Sequence, residues 1–314
     1  MKQKIKYIEV IKESASLAWK NKRLFIFGLI ITITSGGANF EFNDNDFQDS
    51  VFAQKIMSLG TETLLLIFLA FLALVMLLIL AHVFSKIALI KSVVKLLNNE
   101  SFSVKQEFKD ARQNFLRIVG INVLAMAVAF LLLLIIAAPI FFISFSATST
   151  PLIIILSIAA FLIFIPAAFL VFFIGFFGQI YIIKHKLSIQ ESVKNSYNLL
   201  NSNIASSVIM AICLIIFNLA FSIIGAIILV PLIVSSAFAS TTTSYIVAGT
   251  ISLIVLIPIS TFVTTVQYSA WVKFFTLISQ VDKKEPEAIL ESDKKEIEST
   301  ASLEALKSSQ ANED

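Results

Sequence analysis

The sequence predicts an all-α, multi-pass membrane protein with six transmembrane helices, arranged as three repeats of an interfacial amphipathic helix followed by a helical hairpin. Three observations predict it. Of 314 residues, 57% are hydrophobic and 14% charged, whereas soluble domains carry about 25% charged residues. Mean hydropathy is +0.89. Six apolar stretches recur along the chain, and 23 of the 24 Lys and Arg lie between alternate pairs of them.

Spans are expected near 24–35, 64–84, 118–144, 152–183, 204–234 and 245–278. An apolar run of about 20 residues, rising about 1.5 Å per residue, matches a hydrocarbon layer of roughly 30 Å. Helix is the viable backbone there, because open-sheet or irregular backbone facing lipid leaves amides unsatisfied, and the alternation of barrel strands is missing. These spans make one transmembrane domain over residues 1–281. The remaining 282–314 hold ten acids and five lysines with little apolar content, so a disordered, charged cytoplasmic tail is expected, with a transient helix around 287–307. The start admits a second reading. A basic leader, the apolar stretch near 24–34 and small residues at Gly36 and Ala38 also fit a cleavable signal peptide. The uncleaved reading is preferred because the leader matches two later segments.

Charge orients the chain. Lys and Arg gather before the first span, between the second and third, between the fourth and fifth, and in the tail, while Lys55 alone falls on the other side. Excess positive charge marks cytoplasmic segments, so both termini are expected inside, in the plasma membrane of a bacterial cell. Tyr7, Trp19, Tyr181, Tyr197, Tyr268 and Trp271 are expected at the same face, where amphipathic rings sit at headgroup level. The outer loop carries Glu41, Asp44, Asp46 and Asp49 among phenylalanines. It reads as a short helix on the outer leaflet rather than a cation site, since no EF-hand Gly and Glu positions complete the motif.

Self-similarity supplies the repeats. Residues 102–115 (FSVKQEFKDARQNF) overlay 187–200 (LSIQESVKNSYNLL) without gaps. Each begins with a capping box, Ser103 with Gln106 and Ser188 with Glu191, in which the Ser side chain takes an orphan amide and the third residue reaches back. Val104, Phe108, Ala111 and Phe115 fall on one face and Lys105, Lys109 and Arg112 on the other, the pattern of an interfacial helix with a basic side. A third copy lies at 11–24. Pro139 and Pro166 are 27 residues apart, as are Pro231 and Pro258. All three units start on one side, so they read as parallel rather than inverted repeats.

The run from Trp19 to Gly28 (WKNKRLFIFG), leading into Ser35, Gly36 and Gly37, and the run from Ser188 to Tyr197 (SIQESVKNSY) resemble a poorly characterised bacterial family of polytopic membrane proteins. That family is similar to the membrane domain found ahead of some glycerophosphodiester phosphodiesterases. The resemblance covers roughly residues 12–275 and implies a membrane domain alone. It carries over no catalytic residue.

No enzyme is expected. The sequence shows neither a G-x-S-x-G elbow nor a His-Glu-x-x-His helix, and no Gly-rich phosphate loop. No ionisable residue lies deep in an expected span, which argues against ion-coupled transport. Cys213 has no second cysteine, and His82 and His185 sit in unrelated segments, so no cofactor or metal centre is expected. Two sets of candidates remain. Lys91, Lys95, Lys105, Lys109, Arg112 and Arg117 are candidate lipid-headgroup contacts. Asn122, Asn218, Gln179 and Gln267 form a candidate polar path, weighed against plain interhelical hydrogen bonds. The leading expectation is a non-enzymatic protein that organises membrane lipids, anionic ones among them, or protein partners of unknown identity through basic amphipathic helices, with no nucleic acid involved. The alternative is a transporter or permease for a neutral or lipid-like substrate. If the charge rule holds, cysteines placed at Asn45 and Thr242 should react with an impermeant thiol reagent from outside intact cells, and those at Lys109 and Lys194 should not. Labelling at Lys109 would reverse the topology.

Overall fold

A computed structural model describes residues 5–35, 60–146, 150–239 and 242–310. Among these residues the chain forms eight helices and no strand: α1 (Tyr7–Lys20), α2 (Leu24–Thr34), α3 (Thr61–Leu97), α4 (Val104–Ser146), α5 (Thr150–His185), α6 (Ile189–Ser202), α7 (Ile204–Ala239) and α8 (Thr242–Gln310). Five of them, α3, α4, α5, α7 and α8, are long and apolar enough to cross a membrane. They coincide with the second to sixth expected spans.

The first expected span differs. As a helix α2 has 11 residues, about 16 Å at 1.5 Å per residue, or half of a hydrocarbon layer. Its last residue, Thr34, lies 3.0 Å from His82 Nδ1 through its hydroxyl, so α2 ends beside the middle of α3. Sequence explains the stop, since the apolar run gives way to Ser35 and then two glycines, which favour helix poorly. The acidic loop expected to lie on the outer leaflet falls outside the described residues.

The amphipathic segments also differ from one another. α1 and α6 are separate helices of 14 residues each. Each ends at an asparagine whose side-chain amide donates to the carbonyl four residues back, Asn21 to Leu17 at 2.9 Å and Asn203 to Leu199 at 3.0 Å. Val10, Ser14 and Ala18 are buried in the one, and Ser192, Ser196 and Leu200 in the other. The expected capping box forms at Ser188 and Glu191. Hydrogen bonds from the Ser188 hydroxyl and then its amide hold the Glu191 carboxyl below the usual carboxylate range. The middle segment is not a free interfacial helix. It is the opening of α4, 43 residues without a break, because 116–120 (LRIVG) contain no proline and the apolar face of 104, 108, 111 and 115 runs on into Ile118 and Ile121, both buried. α3 instead ends in a Schellman turn. Asn99 takes a φ of 60°, and the amides of Asn99 and Glu100 reach back to Leu96 and Lys95 at 3.1 and 2.9 Å. At the carboxyl terminus α8 continues as helix to Gln310, where composition predicts disorder. Its Glu, Lys, Ala and Leu content favours helix, although Pro286 lies within it.

Packing is concentrated at one end of the bundle. One cluster gathers Leu24, Phe27 and Ile31 of α2, Ile87 to Ile90 of α3, Ile118 and Ile121 of α4, Phe173 to Ile183 of α5 and Ala270 to Ile278 of α8. Beyond it, the most apolar windows of the five spans are at most 11% buried inside the chain. Leu, Ile and Phe gain little by packing on each other in lipid, which is as apolar as they are. At the packed end small and polar residues join the apolar ones. Ser14, Ser192, Ser196, Ser207, Thr265 and Ser269 are all buried in the packed end. Trp271, expected at the headgroup level, is a core residue, with its ring 5.0 Å from Phe173 in an edge contact.

The closest approach in this core joins α2 to α8. A methyl group on Gly28 would run into the Thr265 hydroxyl and come 3.0 Å from the Thr261 carbonyl. Gly28→Ala is therefore expected to cost about 1–3 kcal/mol by overpacking, read as a lowered unfolding midpoint in detergent, with part of the loss restored by Thr265→Ala. An unchanged midpoint for Gly28→Ala would contradict the contact.

Candidate functional site

Two features of the packed end bear on function, a split distribution of charge and a pair of amide contacts. The opening of α4 presents acids inward and cations outward. Glu107 is fully buried, and its carboxylate accepts from Lys95 at 2.5 Å while Lys91 stands 3.7 Å away. Lys91 donates to Asp110 at 2.5 Å. Of the six candidate headgroup contacts, Lys91 and Lys95 thus serve to tie the end of α3 to the start of α4. Arg117 has another task, since it donates to the Lys186 carbonyl at 3.1 Å. Lys186 holds a φ of 57° in the turn between α5 and α6, an uncommon conformation for a side-chain-bearing residue. Lys105, Lys109 and Arg112 remain exposed on the outward face. One turn further on, Leu116 is 80% exposed.

Two more cations take part in the packing. Lys86 lies within α3, in the basic stretch that extends the second expected span. Its ammonium lies 5.9 Å from the ring centres of both Phe176 and Tyr268, a geometry in which the ring quadrupole attracts the charge. Lys273 of α8 pairs with Glu13 of α1. The spacing of Lys86 from Lys91 and Lys95 gave one signal for it: all three recur along one helix, but only the latter two have acids within reach across the turn.

The four polar-path candidates separate into two pairs. In the α4–α5 hairpin, Gln179 donates to Asn122 at 2.7 Å, and Gly178 lies close against the tip of Ile121. That contact closes the space between the helices. In the α7–α8 hairpin, Asn218 and Gln267 both line a cavity of about 440 Å³ with Ser222, Ser260 and Thr264. Here Asn218 donates to the Leu214 carbonyl of its own helix at 2.8 Å, and Thr264 receives the Thr32 hydroxyl at 3.2 Å. The four candidates thus fall in two separate hairpins, one pair bonded and the other lining a cavity. On the other flank of α8, Trp19, Phe25, Leu29, Pro258 and Phe262 line an apolar hollow of about 370 Å³. Among the described residues no three His, Cys, Asp or Glu gather in a way that could hold a metal ion.

Compared with models of protein families, with characterised proteins and with solved structures, the chain finds no match.

Proposed function

We propose that this chain is a non-enzymatic integral membrane protein that gathers anionic lipid headgroups along the outward face of α4, on the cytoplasmic side of the membrane. The observation that carries this reading is the burial of Glu107 and the pairing of half-buried Asp110 with α3. Both acids are engaged by Lys91 and Lys95, so the outward face is left with Lys105, Lys109 and Arg112 and no acid among them. Three cations at the surface of an anionic leaflet contribute on the order of 1 kcal/mol each. Leu116, exposed just beyond them, suits the boundary where headgroups give way to acyl chains. Inward acids explain why the strip is cationic, which the positive-inside rule alone does not.

Transport of a neutral or lipid-like substrate is a second reading, favoured by the polar cavity between α7 and α8. It differs in needing passage from one leaflet to the other, and substrate flux in sealed vesicles discriminates it.

Replacing Lys105, Lys109 and Arg112 together with Gln leaves the apolar face and the Glu107 contacts untouched. The variant is expected to insert with the same topology and to retain less phosphatidylglycerol than the parent after purification at low salt. The deficit should shrink at high salt, where screening removes the contrast. Equal retention at low salt would overturn the proposal and leave these residues as determinants of orientation only.

A further inference from the structure

The two proline-bearing hairpins carry the same two amides at matched places. Asn122 lies 17 residues before Pro139 and Gln179 lies 13 after Pro166, while Asn218 lies 13 before Pro231 and Gln267 lies 9 after Pro258. Both members of the second pair are thus four residues nearer their prolines, about one helical turn, which keeps them on the same helix faces. The outcome differs between hairpins. The first pair bonds directly at 2.7 Å. The second pair lines an open cavity, where Gln267, Ser222 and Ser260 have no hydrogen-bond partner among the described residues. Asn218 bonds within its own helix, so Gln267 is the amide of this pair left unbonded among apolar helices, a cost that a bound molecule relieves.

We infer that the α7–α8 cavity binds an uncharged lipid whose polar part carries hydroxyl and ester groups, of the diacylglycerol type, with its acyl chains left in the bilayer. The lining argues for each part of that description. Asn218 and Gln267 supply both donors and acceptors, and the hydroxyls of Ser222, Ser260 and Thr264 supply more. No charged residue lines the cavity, so an ionised headgroup would be buried without a counter-charge. Leu229, Leu256 and Val263 complete the wall and suit methylene groups. Ser222 and Ala226 are exposed on the flank of α7, so the cavity opens sideways, where an acyl chain can leave it. A volume of about 440 Å³ falls within the roughly 300–1,000 Å³ usual for small-molecule sites. This inference does not depend on the basic face of α4.

The test uses the full chain in phosphatidylcholine vesicles with a dioleoylglycerol that bears a photoreactive diazirine on one acyl chain. Labelled peptides should map to α7 and α8, and excess unlabelled dioleoylglycerol should remove most of the label. The double variant Asn218→Leu/Gln267→Leu should lose about tenfold or more of the competable label, while Asn122→Leu/Gln179→Leu retains it. Should the first double variant fail to fold, Ser222→Ala/Ser260→Ala serves instead, with a several-fold loss expected. Undiminished labelling in the folded α7–α8 variant overturns the inference. So does labelling that dioleoylglycerol does not compete, competition by anionic phosphatidate at equal potency, or competition by free glycerol, which would assign the cavity to a soluble polyol.

Discussion

Cohesion in this protein cannot come from apolar contact along most of its length, because a bilayer offers Leu, Ile and Phe the same environment as a neighbouring helix does. The outer stretches of the five long helices are of that composition and stand largely apart. What holds the chain together is confined to the end where small residues let backbones approach, where Trp271 and its phenylalanine neighbours interlock, and where charges meet. α2 is central to that end. Leu24 and Phe27 are fully buried, Gly28 admits α8, and Thr32 and Thr34 bond to α8 and α3.

Glu107 is the clearest instance of the same constraint. It occupies the register that Ser14 holds in α1 and Ser192 in α6, each buried against the core. A carboxylate there would be costly alone, and it is tolerated because Lys95 and Lys91 close around it at the end of α3. A buried pair of this kind adds little net stability over an apolar contact, yet removing one partner leaves the other charge uncompensated. Its second consequence reaches the surface. With the acids of the α4 opening drawn inward, the cations that remain outside form an unbroken strip. Packing and the proposed lipid contact thus follow from a single arrangement of charge.

Much of this was legible in the sequence, because membrane length and helical periodicity are local properties. The second to sixth spans, the Ser188 cap and the face formed by Val104, Phe108, Ala111 and Phe115 lie where the residues put them. The rest depends on partners distant in the chain. A largely apolar run followed by Ser35 and two glycines looks like a span until α3 and α8 are seen to pack against it. Nothing local distinguishes Lys91 and Lys95 from Lys105 and Lys109. Their roles separate only when α4 folds against α3, 12 residues separating Lys95 from the Glu107 it meets. Likewise an Asn and a Gln in each hairpin are visible in the chain, but only packing closes one pair and leaves the other open. Trp271 reads as an interfacial ring by position along its span, and its neighbours on α5 make it core.

The central claim is that stability resides at the packed, charged end and not in the apolar outer stretches. The direct measurement compares unfolding free energies of Glu107→Gln and of Leu69→Ala, on the exposed outer part of α3, in the same lipid–detergent mixture. Glu107→Gln should cost about 1–3 kcal/mol, since it leaves part-exposed Lys95 without its partner, and Leu69→Ala should stay within about 0.5 kcal/mol of the parent, as surface substitutions do. A comparable loss from Leu69→Ala, or none from Glu107→Gln, would contradict the account.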